Sequence, residues 1–312
     1  YEISSPAYVN PDVVSHFDTL KIEELEKDKV HVSGCRGSSP PKDHKVCINL
    51  AGGFRNGMEI ILTGLDIEEK AKVFTEVLFN SVGGQEQFDE VFIELQRTDK
   101  ENPTTNEQAM ASLVISVKSS NQELVGRLFS AKIIELALAN IPGFFAESGP
   151  KSSGPVIIYW PALVDSKYIT EKVHIDGKEI EVVPTSQLDY EEIYYQREPI
   201  SIDDIEISDQ KEIYFGDLFG TRSGDKGGCA NLGVWAKNNL SYSFLYNFLT
   251  IEKLKELLPD LSKYEIERFE LPNINSLNFY IHDILEDGVS SNNRKDGQAK
   301  SLGEYLRVKK IL

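Results

Sequence analysis

Apolar positions follow no sustained period over the first fifty residues, and Pro6, Pro11, Pro40 and Pro41 interrupt any helix. This stretch reads as irregular and strand-like. The pattern sharpens at Met58, where MEIILTG is a short apolar strand. The residues after it place Ile67, Ala71, Phe74 and Leu78 at the spacing of one helix face. FDEVFIELQR then alternates Val91, Ile93 and Leu95 with polar residues, and ASLVISVKSS alternates Leu113, Ile115 and Val117, which predicts two strands each buried on one side. A second helix begins around Leu124 and Leu128 and is predicted to continue to Ala139; PVIIYWPALV supplies a fourth strand. Strand, helix, strand, strand, helix, strand is the split βαβ, or ferredoxin-like, order, in which both helices cover one face of an antiparallel sheet.

Periodicity then lapses. Residues 185–210 carry eight acids and a single Arg197, so they read as an acidic linker. Beyond them EIYFGDLFG and ANLGVWA read as strands on either side of a glycine-rich loop, and TIEKLKELLPD as a helix with Thr250 as its N-cap and Pro259 as its stop. YEIERFEL puts Tyr264 and Ile266 on one side but Phe269 and Leu271 one residue out of phase, a slip that predicts a bulge. LNFYIHDIL alternates Leu277, Phe279 and Ile281 inward against Asn278, Tyr280 and His282, and a last helix carries Ala299, Leu302 and Leu306. The expected fold class is α+β: two ferredoxin-like antiparallel-sheet units (55–184 and 211–312) joined by the linker (185–210) and preceded by a strand-rich segment (1–54).

Composition narrows the function classes. The 312 residues are 40% hydrophobic and carry net charge −17, which disfavours a nucleic-acid binder or a protein of anionic membrane surfaces, since both need a cationic face. No apolar run approaches the roughly 20 residues that span a bilayer. Cys35, Cys47 and Cys229 form an odd set without CxxC spacing, which points to reduced thiols in a cytoplasmic compartment. The five histidines are dispersed, with no HxH or HxxxH pair, so no local metal site and no cofactor is expected.

Against that acidic background, GTRSGDKGGCANLGVW sets two cations around Asp225. A nucleotide P-loop is excluded: counted from Gly220, the second glycine position holds Asp225, and Lys226 is followed by Gly227. Two readings stay open, a tight structural hairpin and an anion-binding loop in which Gly220, Thr221, Ser223, Gly224 and Gly227 let backbone amides approach the ligand. In the second reading Arg222 offers a fork, Lys226 a point charge, Asp225 a proton shuttle and Asn231 a group that orients a carbonyl. SSNNRKDGQAK adds Arg294 ahead of the last helix, where Asp296 is equally suited to capping it. His282 is a candidate general base because imidazole titrates near neutrality.

GTRSGDKGGCANLGVWAK, LTIEKLKELLPD, ERFELPNINSLNFYIHDIL and DGQAKSLGEYLR, in this order, resemble the acyclic terpene utilisation protein AtuA family across residues 211–307. YEISSPAYVNPDVVSHFDTLKIEEL and VHVSGCRGSSPPKDHKV are similar to the middle of the same family. The resemblance implies a partial N-terminal family domain followed by a ferredoxin-like C-terminal one, with a further α/β portion missing ahead of residue 1 that would be a partner of this chain. It also implies a place in the breakdown of citronellol- or geraniol-like terpenes, which runs through acyl-CoA thioesters. An acyl-CoA or small carboxylate is therefore the expected anion. Cys229 departs from the asparagine expected in the motif. The competing expectation is a non-catalytic module that homo-oligomerises or docks a partner enzyme through its sheet faces.

Overall fold

The computed structural model describes residues 3–149, 151–183 and 212–311; the acidic linker lies outside them. The described residues fall into two compact units, one of Asn49–Ile158 and one combining those of Tyr1–Ile48 and Tyr159–Leu312.

In the first unit the strands are β1 (Asp43–Thr63), β2 (Glu90–Gln96), β3 (Met110–Ser119) and β4 (Gly154–Asp165), with helices α1 (Ile67–Ser81) and α2 (Phe129–Leu136). β1 and β4 each continue past the limits of the unit. Among the described residues the sheet runs β4-β1-β3-β2, and a short strand, Phe144–Ala146, also pairs with β1. This is the strand order that a split βαβ unit produces. Registers pair Ile60 with Leu113 and Leu113 with Leu95, so alternate apolar residues meet on one face. Against that face α1 buries Ile67, Ala71, Phe74, Leu78 and Phe79, the stripe its spacing predicts. Full burial of Phe74 or Leu78 is worth about 1.5–3 kcal/mol each.

Where the spacing predicts one helix through Ala139, the chain makes two pieces. Leu124–Leu128 is a π-helical turn broken at Gly126 (φ −82°, ψ −129°), and α2 follows it. The break is held by buried polar groups. Asn56 Nδ2 donates to Val125 O (2.8 Å) and to Ser130 Oγ (2.9 Å), while Ser130 Oγ lies 3.1 Å from both Gly126 O and Lys151 O. Side chains thus occupy carbonyls that the interrupted helical ladder leaves open.

The second unit contains β5 (Gly220–Lys226), β6 (Cys229–Trp235), α3 (Asn239–Phe248), α4 (Ile251–Leu257), β7 (Ile266–Leu271), β8 (Ser276–Ile281) and α5 (Leu302–Arg307). Two hairpins, β5–β6 and β7–β8, join edge to edge to give the antiparallel order β5-β6-β8-β7. Leu232, Val234, Leu277, Phe279 and Ile281 line the helix side of this sheet and are buried. Thr250 Oγ1 caps α4 by accepting from Lys253 N (3.1 Å), and Pro259 opens a 3₁₀ turn just beyond it, as expected.

The bulge predicted in YEIERFEL is absent: Ile266 to Leu271 pair with Ile281 to Ser276 in unbroken register. The apolar phase changes for another reason. On this edge strand Arg268 and Glu270 take the helix side, where Arg268 bonds Glu270 (3.0 Å) and Tyr246 O (2.8 Å) and lies 4.6 Å from the Tyr246 ring centre. Phe269 and Leu271 consequently face the other way.

Ahead of these elements, Ala7–Val9, Val14–His16 and Arg36–Ser38 form a small antiparallel sheet, and Lys21–Glu26 pairs with Lys29–Ser33. This segment touches the second sheet. Asn278 Nδ2 donates to Ile3 O, and Asn273 Nδ2 to Phe17 O and Leu20 O at 3.0 Å each.

Candidate functional site

The glycine-rich stretch is not a loop. Gly220 to Lys226 are β5 itself, and only Gly227 and Gly228 turn the chain, because Lys226 pairs directly with Cys229. Gly227 has φ +69°, as the first position of a two-residue II′-type turn requires. Gly220 serves packing. A Cβ there would lie 2.2 Å from Trp235 Cε2, so the indole of its cross-strand partner rests on the bare backbone.

Alternation then sorts the candidate residues onto opposite faces. Thr221, Ser223 and Asp225 sit opposite Val234, Leu232 and Ala230, on the core side. There α5 packs on β5: Gly303 N donates to Ser223 Oγ (3.1 Å), and a Cβ on Gly303 would lie 2.8 Å from Thr221 Oγ1. Arg222, Gly224 and Lys226 take the other side, so Asp225 does not share a face with the two cations. Those cations are four residues apart on an extended strand, or about 13 Å, too far to converge on one small anion as a loop would allow. Lys226 Nζ donates to Asp225 O (3.0 Å).

The registers arrange this second face in rows. Gly224 lies beside Asn231, Asn231 beside Tyr280 and Tyr280 beside Glu267; Arg222 leads through Gly233 and Asn278 to Phe269; Lys226 lies beside Cys229 at the turn end. His282, two residues beyond Tyr280, falls on the same side. Asn231 and Asn278 are fully buried and bonded to each other (Nδ2 to Oδ1, 3.1 Å), so Asn231 belongs to a polar seam within the fold.

At the turn end the face holds a cluster of groups able to exchange protons. His282 Nε2 is 2.8 Å from Glu267 Oε1, and the Tyr280 and His282 rings meet edge to face at 5.0 Å. Burial pushes the Tyr280 hydroxyl well above the ordinary phenol range, and its hydrogen bond to Cys229 and the charges of Cys229, Glu267 and Tyr159 push the same way. Tyr280 is therefore a protonated donor at neutral pH. Tyr159 rests on the turn: a Cβ at Gly227 would lie 2.6 Å from its Cε1, and its backbone N–H donates to Asp287 O (3.0 Å). Burial raises the Tyr159 hydroxyl too, with Cys47 adding to the effect. Among the described residues no group of three or more His, Cys, Asp and Glu is arranged to hold a metal ion.

Arg294 does not join this cluster through its side chain. Its guanidinium is directed to Asp260 (3.8 Å), while its backbone N–H donates to Asn292 Oδ1. Asp296 does not cap α5 but holds the turn that leads into it, accepting from Lys300 N (2.8 Å), Ser301 N (2.8 Å) and Ser301 Oγ (2.6 Å). Burial opposes ionisation of Asp296, but the bonds from Ser301 and Lys300 outweigh it and hold the carboxyl below its usual range.

The model of the acyclic terpene utilisation family protein AtuA matches residues 1–175, more than half of the 312, and that of the AtuA ferredoxin-like domain matches residues 214–311. The chain belongs to the AtuA family. No curated protein and no solved structure matches it. Membership brings the family's association with acyclic terpene utilisation, and the β5–β6 hairpin, Tyr280, His282 and Glu267 lie within the span of the AtuA ferredoxin-like domain, while Tyr159 falls within residues 1–175. No helix among the described residues is long and apolar enough to cross a membrane.

Sequence reasoning singled out His282 but missed Glu267 and Tyr159. Glu267 was obscured by the supposed bulge: with β7 in unbroken register, counting two residues back from Phe269 puts it on the Tyr280 face. Tyr159 carries no such signal, since only the tertiary fold brings it to the Gly227 turn, 68 positions away in the chain.

Proposed function

We propose that the chain acts in the breakdown of acyclic terpenes or related branched acids, taking an acyl-CoA thioester or a small carboxylate at the turn end of the polar sheet face. The observation that carries this reading is the meeting of Tyr280, Cys229 and the His282–Glu267 pair on one face. Tyr280, kept protonated, donates a hydrogen bond to the ligand's carbonyl or carboxylate oxygen. His282, oriented by Glu267, takes or returns a proton beside that polarised carbonyl. Lys226, at the turn end of the same face, supplies positive charge to a small carboxylate, and Arg222, about 13 Å along the strand, reaches only a second anionic group of an extended ligand such as an acyl-CoA. Asp225, on the opposite face, has no part in this scheme.

The test is calorimetric titration of the protein with the CoA thioester of citronellic acid and with the free acid, followed by turnover of whichever binds. Arg222→Ala with Lys226→Ala should weaken binding, whereas Tyr280→Phe and His282→Gln should depress turnover with little change in the thermal melt. Unchanged affinity in a folded Arg222→Ala/Lys226→Ala protein, together with unchanged turnover in the other two, would remove this face from the reaction.

A further inference from the structure

A positive feature outside that face lies in the first unit. A hollow of about 540 Å³ opens beside the broken helix, lined by Gly126, Arg127, Ser130, Ile134, Lys151 and Ser153 among others. Its charge stands against the chain's −17. Arg127 and Lys151 make no ion pair among the described residues, and the lining carboxylate Glu135 is engaged by Lys132 at 2.7 Å. Two uncommitted cations on a concave wall of an acidic protein create a local potential that attracts anions.

The wall is built rather than incidental. The buried Asn56 and Ser130 bind Val125 O and Lys151 O, respectively, and so tie the break to the strand-side segment that carries Lys151, Ser152 and Ser153. Interrupted π turns recur at functional sites, where the irregular backbone re-aims side chains. Here the break lets the 151–153 segment approach the helix: a Cβ at Gly126 would lie 3.7 Å from Ser153 Oγ. Guanidinium, ammonium and the Ser152 and Ser153 hydroxyls together make the donor set that suits a phosphoryl group: several oxygens, tetrahedral, doubly charged. Ala131 and Ile134 add an apolar margin.

We propose that this hollow is a binding site for a phosphoryl anion, held by Arg127 and Lys151 with Ser152 and Ser153 as hydroxyl donors. It goes beyond the reading of the sheet face and does not depend on it. The test uses the whole chain, titrated with inorganic phosphate, with ADP and with citrate, each read by calorimetry and thermal shift against sodium chloride of matched ionic strength.

Phosphate and ADP should bind and stabilise the protein beyond the salt reference, and citrate should do so less. ADP binding more tightly than phosphate would assign the site to an organic phosphate that also uses the Ala131–Ile134 margin; equal affinity would assign it to free phosphate. Arg127→Ala with Lys151→Ala should weaken binding about tenfold or more. Because both side chains are exposed, the ligand-free melt should not move. Arg222→Ala with Lys226→Ala should retain phosphate binding in full, which separates this site from the sheet face. No shift beyond salt, or an unchanged affinity in the Arg127→Ala/Lys151→Ala protein, overturns the proposal.

Discussion

Replacing Gly227 by alanine probes how the hairpin turn and Tyr159 hold the candidate site together. Two costs arise from one methyl group. The residue has φ +69°, and an L side chain in that left-handed region costs about 1–2 kcal/mol. The new Cβ would also lie 2.6 Å from Tyr159 Cε1 and 2.9 Å from Cδ1, so the ring must retreat by about 1 Å to regain ordinary contact. Overpacking of that kind typically costs about 1–3 kcal/mol. The sum is about 2–5 kcal/mol, a large part of the stability of an ordinary domain. The assay is urea unfolding followed by tryptophan fluorescence, which reports this unit because both tryptophans, Trp160 and Trp235, belong to it. Tyr159→Ala is measured beside it, with the double variant. Once the ring is gone, Gly227→Ala should cost only the backbone part, about 1–2 kcal/mol, leaving a coupling of about 1–3 kcal/mol. Additivity within about 0.5 kcal/mol would refute the argument that Tyr159 is seated on this turn.

Three further outcomes follow from the same geometry. Asp296→Ala should destabilise the protein by about 1–2 kcal/mol at neutral pH. The folded carboxyl is depressed, so its contribution is present above the unfolded value near 3.9 and lost as pH falls through the folded one; urea midpoints of the two proteins should converge in acid. Tyr280 has the opposite sign: its raised folded value gives a contribution that is complete below the ordinary phenol value of about 10 and declines as pH rises above it. Tyr280→Phe should therefore show a shallower alkaline loss of stability, and absorbance titration at high pH should lose one late-ionising phenol. Gly303→Ala should cost about 1–3 kcal/mol, because its Cβ would lie 2.8 Å from Thr221 Oγ1 and 3.2 Å from Thr221 Cβ, and Thr221→Ala should restore much of that in a thermal melt.

Much of the architecture was legible because local periodicity and tertiary burial agree. The Ile67, Ala71, Phe74, Leu78 stripe and the alternations in β3 and β8 were read directly, since a side chain's face follows from its backbone period, whereas on the edge strand β2 Ile93 is exposed. The failures have equally local causes. GTRSGDKGG reads as a loop because six of its nine residues are glycine, serine or aspartate, yet its first seven form an edge strand, where Gly220 receives the Trp235 indole, and Gly227 in the turn receives the Tyr159 ring. The phase change at Phe269 reads as a bulge because apolar residues are assumed to face the helices, whereas Arg268 and Glu270 occupy that side at the sheet edge.

By itself the sequence determined the main helices and strands of the first unit and their ferredoxin-like order, the family and the two most conspicuous cations of the second unit, whereas EIYFGDLFG, read as a strand, turns into a short helix at Phe215–Leu218. Only the tertiary structure decided which of the candidate residues work together. Strand register separates Asp225 from Arg222 and Lys226 by a single residue's alternation and brings His282 to Glu267 across a hairpin. Folding also sets Tyr159 on the turn. The physical reason is that periodicity is a property of neighbours along the chain, while a site is made by contacts between residues far apart in it. The hydrogen-bond ladder that fixes those contacts is the same for every side chain, so register leaves little trace in residue type.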